Sequence, residues 1–326
     1  MNKLYPLKFK PRFREKLWGG HKIKDVLQMD CEDISNCGEA WVLSGVAGDE
    51  TVVADGFLAG NELNELVEVY MDDLVGGKVY QKYENEFPIL VKFIDAADYL
   101  SIQVHPDNAL AQKRGLGNGK TEMWYIISAD KDAELISGFS RKVNQKTYLD
   151  HLNNKTLKEI LNVEKVQAGE VYYVPAGRVH ALGPGILMAE IQQTSDATYR
   201  IYDWDRVDKN GHPRELHTEQ ALEAIDYDVY DDYKSRYADA KNETVEIVKG
   251  EFFTTNLLHI DKPLMKNYEE LDSFVIYTCV AGHLTLVYPD GSLSLKMGEC
   301  VLVPNEINRI DLLPSTDTKL LETYIL

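Results

Sequence analysis

Residues 99–127 read YLSIQVHPDNALAQKRGLGNGKTEMWYII, and the alternation at the start of this stretch decides how the rest of the chain is taken. Ile102 and Val104 alternate with Ser101, Gln103 and His105. A strand throws successive side chains to opposite faces, so the three polar groups share one face. Pro106 ends the strand, an insert with Gly115, Gly117 and Gly119 follows, and a second strand over 121–128 puts Glu122, Trp124 and Ile126 on one side. Polar groups inside an otherwise apolar sheet are costly without partners. Gln103, His105 and Glu122 are therefore expected to converge. Amide oxygen, imidazole nitrogen and carboxylate are donors that suit zinc or another divalent first-row metal.

One more donor would close such a site. His180, in GEVYYVPAGRVHAL (169–182), follows an apolar strand over 171–174 and the Pro175-Ala176-Gly177 turn. A lone His or Glu in a strand is more often a hydrogen-bonded or solvated residue than a ligand, so the case rests on the four taken together.

The chain has 326 residues, 44% of them hydrophobic, which is enough for one large core or two domains. It shows no apolar run of membrane-spanning length, and MNKLYPLKFKPRFREKLWGG at its start has no apolar secretory core, so a cytoplasmic protein is expected. Cys31, Cys37, Cys279 and Cys300 form no C-x-x-C pair and are expected as free thiols. A net charge of −18 argues against nucleic acid or an anionic membrane surface as a partner. It does not exclude a phosphorylated small molecule, since local cations outweigh a distant, screened field. Lys92, inside FPILVKFI (87–94), needs either an anion or a route to water.

Helical spacing of Leu63, Leu66, Val67, Tyr70, Met71 and Leu74 predicts a helix capped by Asn61 and stopped at Gly76-Gly77. A second helical stretch is expected over 143–164, interrupted near Asn153-Asn154, and a short third one within HTEQALEAID (217–226). Trp18-Gly19-Gly20 reads as a turn, residues 36–46 as a strand, and Trp18, Glu39 and Trp41 as packing residues. In GILMAEIQQTS (185–195), Met188, Glu190, Gln192 and Thr194 share a face, and in the next strand Arg200 and Tyr202 lie together. The polar, tyrosine-rich run over 230–243 reads as a connection between domains at 1–235 and 236–326.

Beyond residue 244 the pattern is almost wholly strand-like, and MGECVLVPNEI (297–307) echoes AGEVYYVPAGR (168–178). The chain thus repeats a β unit, and the second copy offers no comparable His and Glu set. The expected fold class is mainly β: two jelly-roll barrels of the cupin type with a few packed helices.

The ordered set SIQVHPD (101–107), GKTE (119–122), VPAG (174–177) with His180, EIQQ (190–193) and YRIYD (199–203) resembles the type I mannose-6-phosphate isomerases in their short bacterial form. The resemblance covers most of the chain. It implies one zinc held by Gln103, His105, Glu122 and His180, a catalytic Arg200, a pocket carboxylate Glu190 that carries protons, and Ser101, Lys92 and Lys120 near the substrate phosphate. The implied reaction interconverts mannose 6-phosphate and fructose 6-phosphate through a cis-enediol. Two other readings of the donor set are a metal cupin of the iron oxygenase type, since two His and a carboxylate also make a facial triad, and a sugar-phosphate sensor without catalysis.

Overall fold

The structure, a computed structural model, describes residues 3–31, 33–207 and 210–326. Its first part contains β1 (Arg12–Gly20), β2 (Cys37–Leu43), β3 (Ile89–Ala96), β4 (Ile102–Val104), β5 (Glu122–Ala129), β6 (Glu134–Phe139), β7 (Leu161–Lys165), β8 (Val171–Val174), β9 (His180–Leu182), β10 (Ile186–Gln193), β11 (Tyr199–Tyr202) and β12 (Lys234–Ser235). These make two sheets in the orders β1-β2-β3-β10-β5-β8-β12 and β11-β4-β9-β6-β7. The second part contains β13 (Thr244–Lys249), β14 (Thr254–Ile260), β15 (Leu264–Asn267), β16 (Val275–Ala281), β17 (His283–Tyr288), β18 (Gly291–Lys296), β19 (Cys300–Val303), β20 (Arg309–Pro314) and β21 (Thr318–Tyr324). Its sheets run β13-β14-β21-β16-β19 and β15-β20-β17-β18.

The two orders are one pattern. Advancing each of β2 through β10 by eleven turns the middle of the first pair of sheets into the second pair, as a repeated unit requires. The sequence echo marks the same joint in both copies: Gly169 and Gly298 each have φ +88°, a left-handed conformation open to glycine, just before β8 and β19. Each unit is two antiparallel sheets face to face, with alternate residues filling the space between them. Ile94, Trp124, Ile126, Leu135, Leu182 and Met188 pack in the first, and Leu258, Tyr277, Leu286, Val301, Ile310 and Leu320 in the second. A larger apolar cluster, from Leu7 and Leu43 to Phe274 and Leu302, joins the units. Leu7 exchanges backbone hydrogen bonds of 2.7 and 2.9 Å with Leu302, so the head of the chain extends the sheet that the tail builds.

Several local expectations change. Trp18, Gly19 and Gly20 are strand, not turn. Glu15 and Gly20 both pair with Cys37, so the four residues between them leave the ladder as a bulge. Gly19 is required there, because a Cβ would lie 2.4 Å from the Asn36 carbonyl oxygen. The first long helix, Leu63–Val75, is capped by Glu62 with Glu65 in a reciprocal capping box, while Asn61 bonds back to the Leu58 carbonyl. Gly76 ends it, but a second helix, Gly77–Tyr83, starts at once. Within 143–164 the helix covers only Gln145–Asn153, and Leu161 opens β7, because its apolar side serves a sheet rather than a helix face. Among the described residues, no helix is long and apolar enough to cross a membrane. All four cysteines are free and buried.

Candidate active site

Register brings the site together. Gln103 in β4 stands opposite His180 in β9, and Glu122 in β5 stands beside Gln192 of β10 and Val174 of β8. His105, just past β4, turns in from the facing sheet. His105, Glu122 and His180 are all buried, and their donor atoms lie within 4.8 Å of one another. The imidazole Nε2 atoms approach the carboxylate at 3.4 Å (His105) and 3.5 Å (His180). Each ring's Nδ1 donates to a backbone carbonyl, His105 to Ala197 at 2.9 Å and His180 to Arg178 at 2.8 Å. Those bonds fix the tautomer that leaves both Nε2 lone pairs facing Glu122. Gln103 meets His180 Nε2 at 3.2 Å through its amide nitrogen, so it stands beside the cluster.

Electrostatics agree with a donor set. Burial, and then the nearby Lys120 charge, pull His105 down to about 3, and burial likewise lowers His180, so both rings are neutral, as metal donors would need to be. Burial alone would raise Glu122, but the Lys120 charge holds it well below the usual carboxylate range. Its Oε2 is buried without a hydrogen bond, although Lys120 Nζ stands 3.0 Å away. A buried carboxylate with one imidazole Nε2 beside each of its oxygens, His105 at Oε2 and His180 at Oε1, fits a divalent cation. The nitrogen and oxygen donors suit zinc and its first-row neighbours.

Beside the cluster lies a cavity of about 290 Å³, lined in part by Ser101, Gln103, Lys92, Lys120, Glu190 and Arg200. All nine residues expected from the sequence therefore stand in the cluster or the cavity wall. Trp41, Lys92, Glu190, Trp124 and Tyr172 sit side by side in one row of the large sheet, on β2, β3, β10, β5 and β8, and the middle three line the cavity. Glu190 accepts from the Trp124 indole at 3.0 Å and faces Lys92 Nζ at 3.4 Å. Burial, and then the Glu122 charge, raise its pKa. Lys120 is 3.1 Å from His105 Nε2, so its ammonium sits at the metal end of the cavity.

Sequence reasoning missed part of the wall. Lys16 and Trp18 reach the cavity because the β1 bulge throws them there, and Glu39, read as packing, lines it between Lys16 at 3.1 Å and the Trp41 indole at 2.8 Å. Asp196, Thr198 and Arg214 also line it. Glu39 and Lys92 in neighbouring apolar strands were the one legible signal, since buried opposite charges imply each other.

Comparison with known proteins gives a consistent picture. Residues 6–134 match the family model for the catalytic domain of type I phosphomannose isomerase, and residues 243–316 the cupin domain model of mannose-6-phosphate isomerase. The chain is 32% identical to a Streptococcus mutans mannose-6-phosphate isomerase over 93% of both chains, and 40% identical to the Bacillus subtilis mannose-6-phosphate isomerase ManA over 68% of both. A crystal structure of the mannose 6-phosphate isomerase from Bacillus subtilis superposes with a TM-score of 0.88 at 32% identity, covering 99% of this chain and all of that one.

Proposed function

The chain belongs to the type I mannose-6-phosphate isomerases, and from that premise we propose that it interconverts mannose 6-phosphate and fructose 6-phosphate with one zinc ion as cofactor. The observation that carries this reading is the buried His105, Glu122 and His180 cluster opening onto a cavity that also holds a buried carboxylate and a guanidinium. Zinc held by those three residues, with the Gln103 amide turned to present its oxygen as a fourth donor, would polarise hydroxyl and carbonyl oxygens of the open-chain sugar.

The isomerisation moves a proton between C2 and C1 of the open chain through a cis-enediol, so it needs a base on one face and positive charge at the enediolate oxygen. Glu190 is the base. Its raised pKa gives it proton affinity nearer neutrality than an ordinary carboxylate, and the Trp124 indole fixes the oxygen that does not carry the proton. Arg200, half-buried in the wall, stays cationic and stabilises the developing oxyanion. Lys92 and Lys120, expected near the phosphate, pair with Glu190 and Glu122, so we assign them to the reacting end of the sugar. There they set the charge of the two carboxylates. Ser101 keeps its place near the phosphate.

A coupled assay with mannose 6-phosphate, run before and after chelation and again after zinc is restored, tests this. Turnover that disappears with the chelator and returns with zinc is expected. Full turnover in metal-free protein would remove the cofactor, and no turnover in zinc-loaded protein would remove the function.

A further inference from the structure

With Lys92 and Lys120 committed to carboxylates, and Lys16 paired with Glu39, the phosphate is left with one hydroxyl, and a dianion entering a desolvated cavity needs cations. One wall has charge to spare. Arg214 lines the cavity beside Arg200, and its guanidinium grips Asp203 with two hydrogen bonds, Nε to Oδ2 at 2.7 Å and Nη2 to Oδ1 at 2.5 Å. Asp203 is only 5% exposed and also accepts from Arg206 Nη2 at 2.7 Å. Arg206 turns away, toward Asp98 at 3.6 Å. Arg200 donates to the Glu215 carbonyl at 2.9 Å and has a buried Nε without a partner. Its own proton is held less tightly than usual, through burial and then the nearness of Arg214. Two guanidinium groups thus face the cavity with one carboxylate behind them, in a chain whose net charge is −18.

The turn that presents Asp203 is strained. Trp204 and Asp205 have φ of +57° and +53°, a left-handed conformation that residues with a Cβ avoid and that persists only where the surroundings enforce it. Here they do. The Trp204 indole donates to the Leu100 carbonyl at 2.7 Å, and its ring lies 4.7 Å from that of Tyr99. Leu100 and Ser101 both line the cavity. The turn is therefore fastened to the segment that supplies Ser101, so Asp203, Arg214 and the Ser101 hydroxyl are held as one piece.

We infer that Arg214 is a further substrate-binding residue that takes the phosphate dianion, and that Asp203 is a positioning residue that holds the Arg214 guanidinium in the cavity wall; this rests on the hexose 6-phosphate reading above. Arg200 is thereby left to the reacting oxygens. The test is the variant series Arg214→Gln, Asp203→Asn and the two combined, with inorganic phosphate as competitive inhibitor. In Arg214→Gln the KM for mannose 6-phosphate and the inhibition constant of phosphate both rise about 10-fold, while kcat changes less than about 3-fold. Asp203→Asn moves both the same way. The double variant is no worse than Arg214→Gln within about 2-fold, because the carboxylate acts through the guanidinium. An unchanged phosphate inhibition constant in Arg214→Gln, or effects that multiply in the double variant, would overturn the assignment. Calorimetric titration of inorganic phosphate gives the same comparison without turnover. If zinc-loaded wild type binds phosphate in an Arg214-dependent way yet does not isomerise the sugar, the anion site stands and the function falls.

Discussion

Set the two β units over one another and the same row of the same sheet appears twice. In the first it reads Trp41, Lys92, Glu190, Trp124, Tyr172; in the second Glu246, Asn256, Glu322, Tyr277, Val301. Both keep a buried carboxylate at the centre, with an aromatic donor from the neighbouring strand. What surrounds it differs. Glu190 looks into a cavity. Glu322 accepts from Asn256 beside it at 2.8 Å, and from Lys266 at 3.0 Å and Tyr268, which reach across from the facing sheet and fill the space. At the metal positions the second unit has Asn267 for Gln103, Val275 for Glu122 and Arg309 for His180. The ammonium of Lys266 closes that inner carboxylate from within the second unit. The lesson is that one scaffold accommodates an inner carboxylate in two ways, as chemistry or as a closed structural ion pair.

The comparison breaks first at the metal. His105→Ala is expected to abolish zinc binding and lower turnover by more than about 1,000-fold, read by elemental analysis and the coupled assay, whereas Arg309→Ala leaves zinc content unchanged. Next comes Arg200→Ala: a fall of about 100- to 1,000-fold in kcat/KM at unchanged zinc content, which would separate oxyanion stabilisation from metal binding. The second unit answers in stability instead. Glu322→Ala leaves Lys266 without its buried partner and is expected to cost about 3 kcal/mol in denaturant unfolding, while the folded fraction keeps its kcat. The smallest effect is on pH. Because Glu190 has a raised pKa, kcat/KM should fall as pH drops through a value above the ordinary carboxylate range. Lys92 opposes that rise, so Lys92→Met moves the acid limb to higher pH; a limb that stays put would take the role of base away from Glu190.

Much of this contrast was legible in the sequence. The Gly-Glu, four-residue strand and Pro echo marked β8 and β19, and alternation around Ile102 and Val104 put Gln103 and His105 on the inner face. Those signals are local: period two and a turn residue suffice. Lys16 and Trp18 were not legible as cavity residues, because a bulge sets their direction and its register is made by β2 and β3. Arg214 was invisible for a related reason. Its place depends on Asp203, eleven positions earlier, held in a strained turn that no propensity favours. Leu161 reads as helix in the sequence because closely spaced apolar residues over 157–161 fit a helix and a strand almost equally, and pairing with β6 decides between them.

The hydrogen bonds between Leu7 and Leu302 carry a consequence for biosynthesis. A ribosome releases Leu7 long before Leu302, so the sheet that holds Leu302 waits for a segment already outside. Cutting the gene near residue 240 would yield a C-terminal fragment with an uncovered strand border. Supplying the N-terminal fragment alongside it should restore solubility, as two pieces of one clasp.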